Sequence, residues 1–336
     1  MGQVNIEASP LPPRETRRDD PLISLVIPCF AESDTVELFV SATYASLPGQ
    51  RLEFVFVNDG SPDDTLAKLL ALSIRDPHVV IVDLSRNFGK EVAMTAGIDV
   101  ASGDVVVPMD ADLQDPPEVI LKFLKRWREG YDVVFGIRSD RHSDTRGKRV
   151  TAGLFYRFFN NLAQTQIPPN VGDFRLMDRV VVDAVKKLPE RTRFMKGIFA
   201  WVGFPSVGVE YVRAERSAGT TKFSYWQLWN FALEGVVSFS TVPLRIWTYA
   251  GMSVALASVV FALVIVVRTL VFGRDVPGYA STMTAILFLG GIQLISLGVI
   301  GEYLSRLFLE SKQRPLYLLR GIYREGKHDE RAEKSQ

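Results

Sequence analysis

Two long stretches without a charged side chain, residues 246–267 and 276–301, constrain this 336-residue chain more than any other feature. Each exceeds the ~20 residues that an α-helix needs to cross a hydrocarbon core of ~30 Å. The sequence therefore predicts two transmembrane helices, at about 246–267 and 278–301. Basic residues flank them unevenly. Arg245, Arg306, Lys312, Arg314 and Arg320 lie on one side, against Arg268 and Arg274 in the connection. The excess of positive charge assigns both termini to the cytoplasmic face of the inner membrane, in a multi-pass chain.

Ahead of the spans, apolar residues come in short runs bounded by turn formers. Residues 23–28, 54–58, 79–84, 105–109 and 132–135 are valine-rich and read as strands. Segments 32–47, 63–75, 90–101 and 117–129 have helical length and period. Alternating strands and helices predict an α/β domain, Rossmann-like, with a mostly parallel sheet covered on both faces. Ligands of such sheets bind beyond the carboxyl ends of the strands. Attention therefore falls on 29–32, 59–61, 85–89 and 110–115.

Residues 1–21 are polar and rich in proline and arginine, and read as a disordered leader rather than a signal peptide. Residues 222–245 are rich in aromatics and read as juxtamembrane amphipathic helices at the membrane interface. Residues 302–322 read as a return helix along the membrane surface followed by a short strand at 314–320, and 323–336 as a charged tail. A net charge of +1 offers no field to gather nucleic acid. The single Cys29 forms no internal disulfide, which suits a reducing compartment.

Asp110, Asp112 and Asp115 fall within six residues after an apolar strand. Carboxylates so close repel one another unless a cation sits among them. Mg²⁺ takes oxygen ligands and commonly bridges one or two carboxylates to substrate phosphates, so a nucleoside diphosphate fits this turn. Asp115 also suits a helix cap before Pro116 and Pro117. A second strand end, Asn58-Asp59-Gly60-Ser61, offers Asp59 to a base or ribose. Arg138, Arg141, Arg146, Lys148 and Arg149 form a basic run, either a solvated loop or an anion site. Asn87 to Lys90 read as a pocket wall or merely a helix start, and stand outside the candidate site. The three histidines show no metal-ligand spacing.

The ordered pieces VIPCFAESDTV, VNDGSPDDT, SRNFGKEVAMTAGIDVASGD, MDADLQDPPE, GIRSDR, GDFRLMDR and ERSAGTTKFSYWQL run from about residue 22 to 245. Together they resemble family 2 glycosyltransferases of the dolichol-phosphate mannose synthase group. The likeness is greatest to bacterial polyprenyl-phosphate (bactoprenol) glucosyltransferases with two C-terminal transmembrane helices. The resemblance implies a GT-A domain over 22–221 that transfers a sugar, with inversion, from a nucleotide sugar to a polyprenyl phosphate at the lipid bilayer.

By the same resemblance Pro28, Glu32, Asp59, Asp110, Ala111, Asp112, Arg216 and Lys222 hold the nucleotide sugar. Asp110, Asp112 and Gln114 gather round Mg²⁺ or Mn²⁺. Arg138, Lys148, Arg149 and Thr151 serve the acceptor phosphate, and Asp173 faces the reacting centre with Asp112. A phosphate monoester is already largely a dianion at neutral pH, so Asp173 is expected to orient first and act as a base second. The resemblance implies UDP-glucose and undecaprenyl phosphate as substrates, and a homo-oligomer such as a tetramer. GDP-mannose, UDP-galactose or a UDP-aminoarabinose derivative stand as other donors, and a non-catalytic membrane scaffold as the rival of another class.

Overall fold

The computed structural model describes residues 17–138, 171–188, 190, 195–213, 242–272, 278–325 and 327–328. The chain divides into two compact units. One comprises Met1–Tyr156, Thr165–Tyr225 and Arg314–Gln336, the other Arg157–Gln164 and Trp226–Gln313.

In the first unit, β-branched and aromatic runs, which pack well on a pleated surface, form β1 (Leu22–Cys29), β2 (Arg51–Asn58), β3 (Val79–Leu84) and β4 (Val105–Pro108). The crossovers α1 (Val36–Ser46), α2 (Thr65–Arg75) and α3 (Lys90–Val100) make β1 parallel to β2 and β4, and β2 parallel to β3. The rest of the unit contributes α4 (Val119–Arg128), β5 (Val133–Arg138), β6 (Val171–Asp178), α5 (Arg179–Lys186), α6 (Met195–Trp201) and β7 (Ser206–Tyr211), then β8 (Leu319–Arg324) and β9 (Lys327–His328).

The strand order is β7-β5-β6-β4-β1-β2-β3-β8-β9. Successive strands step one way from β1 to β3, and β4 then returns to the other side of β1. That reversal opens a crevice beyond the carboxyl ends of β1 and β4. The sheet is mixed rather than mostly parallel: β6 runs antiparallel to β4 and β5, and β8 antiparallel to β3. Phe39, Phe54, Phe56, Phe123, Trp127 and Phe174 are fully buried around it.

Three expectations need correction here. The leader does not extend to residue 21, because Arg17 is tied into the fold. Its guanidinium lies 2.6 Å from Asp132 and 3.4 Å from Asp178, donates to the Trp127 carbonyl and covers the Trp127 ring. Two buried carboxylates need a cation, and this one supplies it. The strand expected at 314–320 is displaced to Leu319–Arg324, since Pro315 cannot donate to a ladder. It pairs antiparallel with β3, so the globular unit includes residues beyond the 22–221 boundary.

The second unit contains α7 (Val242–Phe272) and α8 (Tyr279–Ser311). Leu256, Phe261, Leu294 and Phe308 are more than half exposed, as on helices that face an apolar medium or another apolar surface. Phe288–Ser311, 24 residues of mean hydropathy 1.3, is long and apolar enough to cross a membrane. α8 runs unbroken through residues 302–311, so no separate return helix begins there. It ends at Ser311, shortly before Pro315, and a Glu302–Arg306 pair one turn apart, at 3.5 Å, supports it. Of the interfacial helices expected at 222–245, only 242–245 are described, as the first turn of α7.

Replacing Arg17 removes the guanidinium that Asp132 and Asp178 share. Arg17→Ala is expected to lower stability by about 3 kcal/mol, the scale for breaking a buried ion pair. The check is the urea midpoint of the detergent-solubilised protein.

Candidate active site

The crevice gathers charged groups from α3, β5, β6 and the bend after β4. Beyond β4, Met109 still donates its amide to Val26 O at 2.9 Å, and the chain then bends sharply, with Leu113 at a φ of 56°. Asp110 leaves this bend and meets Lys90, the first residue of α3, at 2.5 Å. The same ammonium lies 3.3 Å from Asp173 on β6. Burial alone would lower the Lys90 pKa, but Asp110 and Asp173 reverse that and hold it above the usual lysine value. Lys90 is thus a permanent cation shared by two carboxylates.

A second polar chain lies alongside. Tyr211, the last residue of β7, donates its hydroxyl to Asp115 at 2.5 Å and accepts from Arg138 Nε at 3.4 Å. Burial raises the Asp115 pKa, with Tyr211 and Arg138 opposing. Burial would lower Arg138, yet Tyr211 and Asp115 carry it above its ordinary value. The Arg138 guanidinium lies over Gly172, where an added Cβ would stand 2.9 Å from Nη2. Glycine therefore lets Arg138 reach the Asp173 strand. Arg175 holds that turn from behind, donating to Gly172 O at 2.9 Å and stacking over Phe199.

Lys90, Asp110, Asp115, Arg138 and Asp173 line a cleft of about 60 Å³ with Met94, Pro108 and Phe174. That is far below the roughly 300 Å³ at which small-molecule sites begin. It suits the reacting end of a substrate rather than a whole nucleotide.

Pro28, Glu32 and Asp59 do not line this cleft; they stand at and just beyond the neighbouring ends of β1 and β2. Asp59 is buried and accepts the amides of Phe88 and Gly89 at 2.7 and 2.9 Å. Burial raises its pKa against those two amides. Its carboxylate thereby fixes loop 85–89. Glu32 accepts from the Thr35 hydroxyl at 2.9 Å, and its own amide donates to Thr65 Oγ1 at 3.0 Å.

The Ala111 side chain is buried in the hydrophobic core, which leaves only its backbone to meet a ligand. Asp112 accepts the Gln114 amide at 3.1 Å. Asp115 does not cap a helix: α4 begins at Val119 with Glu118 at the cap position, and Asp115 is spoken for by Tyr211. Lys148, Arg149, Thr151, Arg216 and Lys222 lie outside the described residues.

Among the described residues no three acidic, histidine or cysteine side chains cluster as a ready metal cage. The turn still fits a hard cation. Asp110, Asp112 and Gln114 offer only oxygen, and the Gln114 Oε1 is buried without a hydrogen-bond partner among the described residues. Mg²⁺ and similar ions take one or two carboxylates and complete their shell with substrate phosphate.

Lys90 is the residue that sequence reasoning missed. A lysine at the start of a helix is ordinary, and its spacing to Asp110 and Asp173 carries no signal.

A mixed sheet with its polar cleft beyond β1 and β4 is a GT-A architecture. Residues 24–186 match the model of Glycosyl transferase family 2, and 242–307 match that of the GtrB C-terminal hairpin. Bactoprenol glucosyl transferase of Shigella phage SfV is 52% identical, over 89% of this chain and 98% of the relative. The prophage bactoprenol glucosyl transferase homolog of Escherichia coli K12 is 50% identical, over 89% and 99%. The solved mannosyltransferase PcManGT from Pyrobaculum calidifontis, in complex with GDP-Man and Mn2+, is 16% identical with a TM-score of 0.45, over 90% of this chain and 89% of that one. The chain belongs to glycosyl transferase family 2, among the relatives of the bactoprenol glucosyl transferases, and is a glycosyltransferase.

Lys90→Met removes the cation between Asp110 and Asp173. It is expected to lower kcat by about 100-fold, the scale for losing a preorganised charge. Transfer assays on the purified variant check this, and wild-type turnover would contradict it.

Proposed function

We propose that the protein transfers glucose from UDP-glucose to undecaprenyl phosphate or a similar polyprenyl phosphate, with inversion, at the cytoplasmic face of the membrane. The observation that carries this reading is identity of 50% or more with bactoprenol glucosyl transferases along nearly their whole length. The cleft supports it chemically, since it sets the cations Lys90 and Arg138 beside carboxylates, where a phosphate would find counter-charges.

In the reaction an oxygen of the lipid phosphate attacks the anomeric carbon in line, and the bond to the departing diphosphate breaks. One displacement inverts the anomeric configuration and yields the lipid-linked sugar and UDP. Arg138 is assigned to the acceptor phosphate, its guanidinium held by Tyr211 beside the Asp173 strand. Asp173 orients the sugar or the acceptor, and Lys90 fixes its direction. The acceptor arrives largely as a dianion, so little is left for a base to do. Pro28, Glu32 and Asp59 are assigned to the nucleoside.

Asp110 and Asp112, with Gln114 beside them, would hold Mg²⁺ or Mn²⁺, which supplies Lewis-acid stabilisation of the leaving diphosphate. The Lys148, Arg149 and Thr151 assignments to the acceptor, and those of Arg216 and Lys222 to the donor phosphates, rest on resemblance alone. The hairpin is assigned two membrane crossings with both termini cytoplasmic, which keeps the donor site and the lipid head group on one side.

The test is a donor screen on the purified protein with undecaprenyl phosphate, read by mass spectrometry of the lipid. UDP-glucose is expected to give a hexosyl lipid and UDP, EDTA to stop the reaction, and Mg²⁺ or Mn²⁺ to restore it. Asp173→Asn is expected to lower kcat by at least about tenfold with donor KM nearly unchanged. Transfer from GDP-mannose alone would overturn the donor assignment, and no transfer from any nucleotide sugar would overturn the activity.

A further inference from the structure

Outside the cleft, buried polar groups concentrate where β2 and β3 meet the C-terminal strand β8. Asp83, near the carboxyl end of β3, has no exposed surface, and a buried carboxylate requires partners. Asn58 at the end of β2 donates to its Oδ1 at 2.7 Å, and Arg320 of β8 approaches its Oδ2 at 3.4 Å. Burial pushes Asp83 above the usual carboxylate range, and Asn58 and Arg320 oppose that shift. Arg320 is thus one of the two partners that offset the cost of burying this carboxylate.

The same guanidinium reaches a second point. Arg320 Nη2 donates to Ser85 O at 3.1 Å, while the Ser85 amide donates to Leu318 O at 2.8 Å. Ser85 begins loop 85–89, whose Phe88 and Gly89 amides hold Asp59. Asn58, on the other side of Asp83, accepts the Ser61 amide at 3.2 Å and so shapes turn 59–61. The two loops touch. A Cβ on Gly60 would lie 2.6 Å from the backbone of Arg86 and Asn87, and Gly60 has a φ of +64°. Only glycine tolerates both conditions, so moving either loop moves the other.

We propose that Arg320 is a positioning residue for the nucleoside half of the donor. From a strand that follows the membrane hairpin in the chain, it holds turn 59–61 through Asp83 and Asn58, and loop 85–89 through Ser85. This rests on the assignment of Asp59 and its neighbours to the nucleoside. The Arg320 side chain is 55% exposed, so its ion pair is partly screened and its effect falls on loop geometry more than on global stability. Arg324 serves as a control: it lies on the same strand but faces Glu53 at 3.8 Å, away from both loops.

Calorimetric titration of UDP, and separately GDP, into the full-length protein with Mn²⁺ tests this. Arg320→Ala is expected to weaken nucleotide binding about tenfold and raise donor KM alike, with acceptor KM and melting temperature nearly unchanged. Arg320→Lys, which keeps the charge and one donor, is expected to recover part of the loss, and Arg324→Ala to bind as wild type. Wild-type affinity in Arg320→Ala, or equal losses in Arg320→Ala and Arg324→Ala, would overturn the role of Arg320 alone. A wild-type protein that binds neither nucleotide would overturn the donor reading and this inference with it.

Discussion

One ammonium shared by two carboxylates is the interaction on which the site depends. Lys90 contacts Asp110 and Asp173 at once, which brings their oxygens within roughly 6 Å of each other. At an effective dielectric of about 20, two negative charges at that distance repel by about 3 kcal/mol. Asp115, buried nearby and raising the charge density further, is held by Tyr211 and faced by Arg138. The cleft is a balanced set of charges, so a charged ligand that enters it must exchange partners within it.

The topology makes this balance possible. Parallel strands aim Asp59 and Asp110 at the same end of the sheet, and the reversal of strand order between β1 and β4 keeps that end open. Antiparallel β6 lies beside β4 and delivers Asp173 to the Asp110 bend. β5 and β7 run parallel and place Arg138 and Tyr211 as register partners, so the Arg138–Tyr211–Asp115 chain follows from strand pairing. On the other side of the sheet β8, with β9 outside it, ties turn 59–61 and loop 85–89 to the chain beyond the hairpin.

The four core strands were legible because each is a buried run of β-branched residues with a turn former after it, and the acidic bend after β4 because like charges in close order demand a cation. β6 was hidden: Gly172, Asp173 and Arg175 break its apolar pattern, and of these Gly172 and Asp173 line the cleft while Arg175 braces it from behind. Lys90 and Arg17 carry no local signal, since each becomes meaningful through carboxylates distant in sequence. Asp115 stood open between the acidic turn and a helix cap for the same reason, its partner Tyr211 lying on a strand that no short-range pattern announced. The end of α8 was misplaced because the loss of hydrophobicity after Gly301 does not stop a helix, whereas Pro315 does.

Donor and cation are expected to enter this one crevice and to take Asp110 from Lys90. A cryo-EM structure of the protein with UDP and Mn²⁺ tests it most directly. The account predicts the uracil between the ends of β1 and β2, the diphosphate and Mn²⁺ at Asp110 and Asp112, and the Lys90 ammonium moved from Asp110 while still beside Asp173. A nucleotide bound elsewhere, or an intact Lys90–Asp110 contact with the site filled, would contradict it.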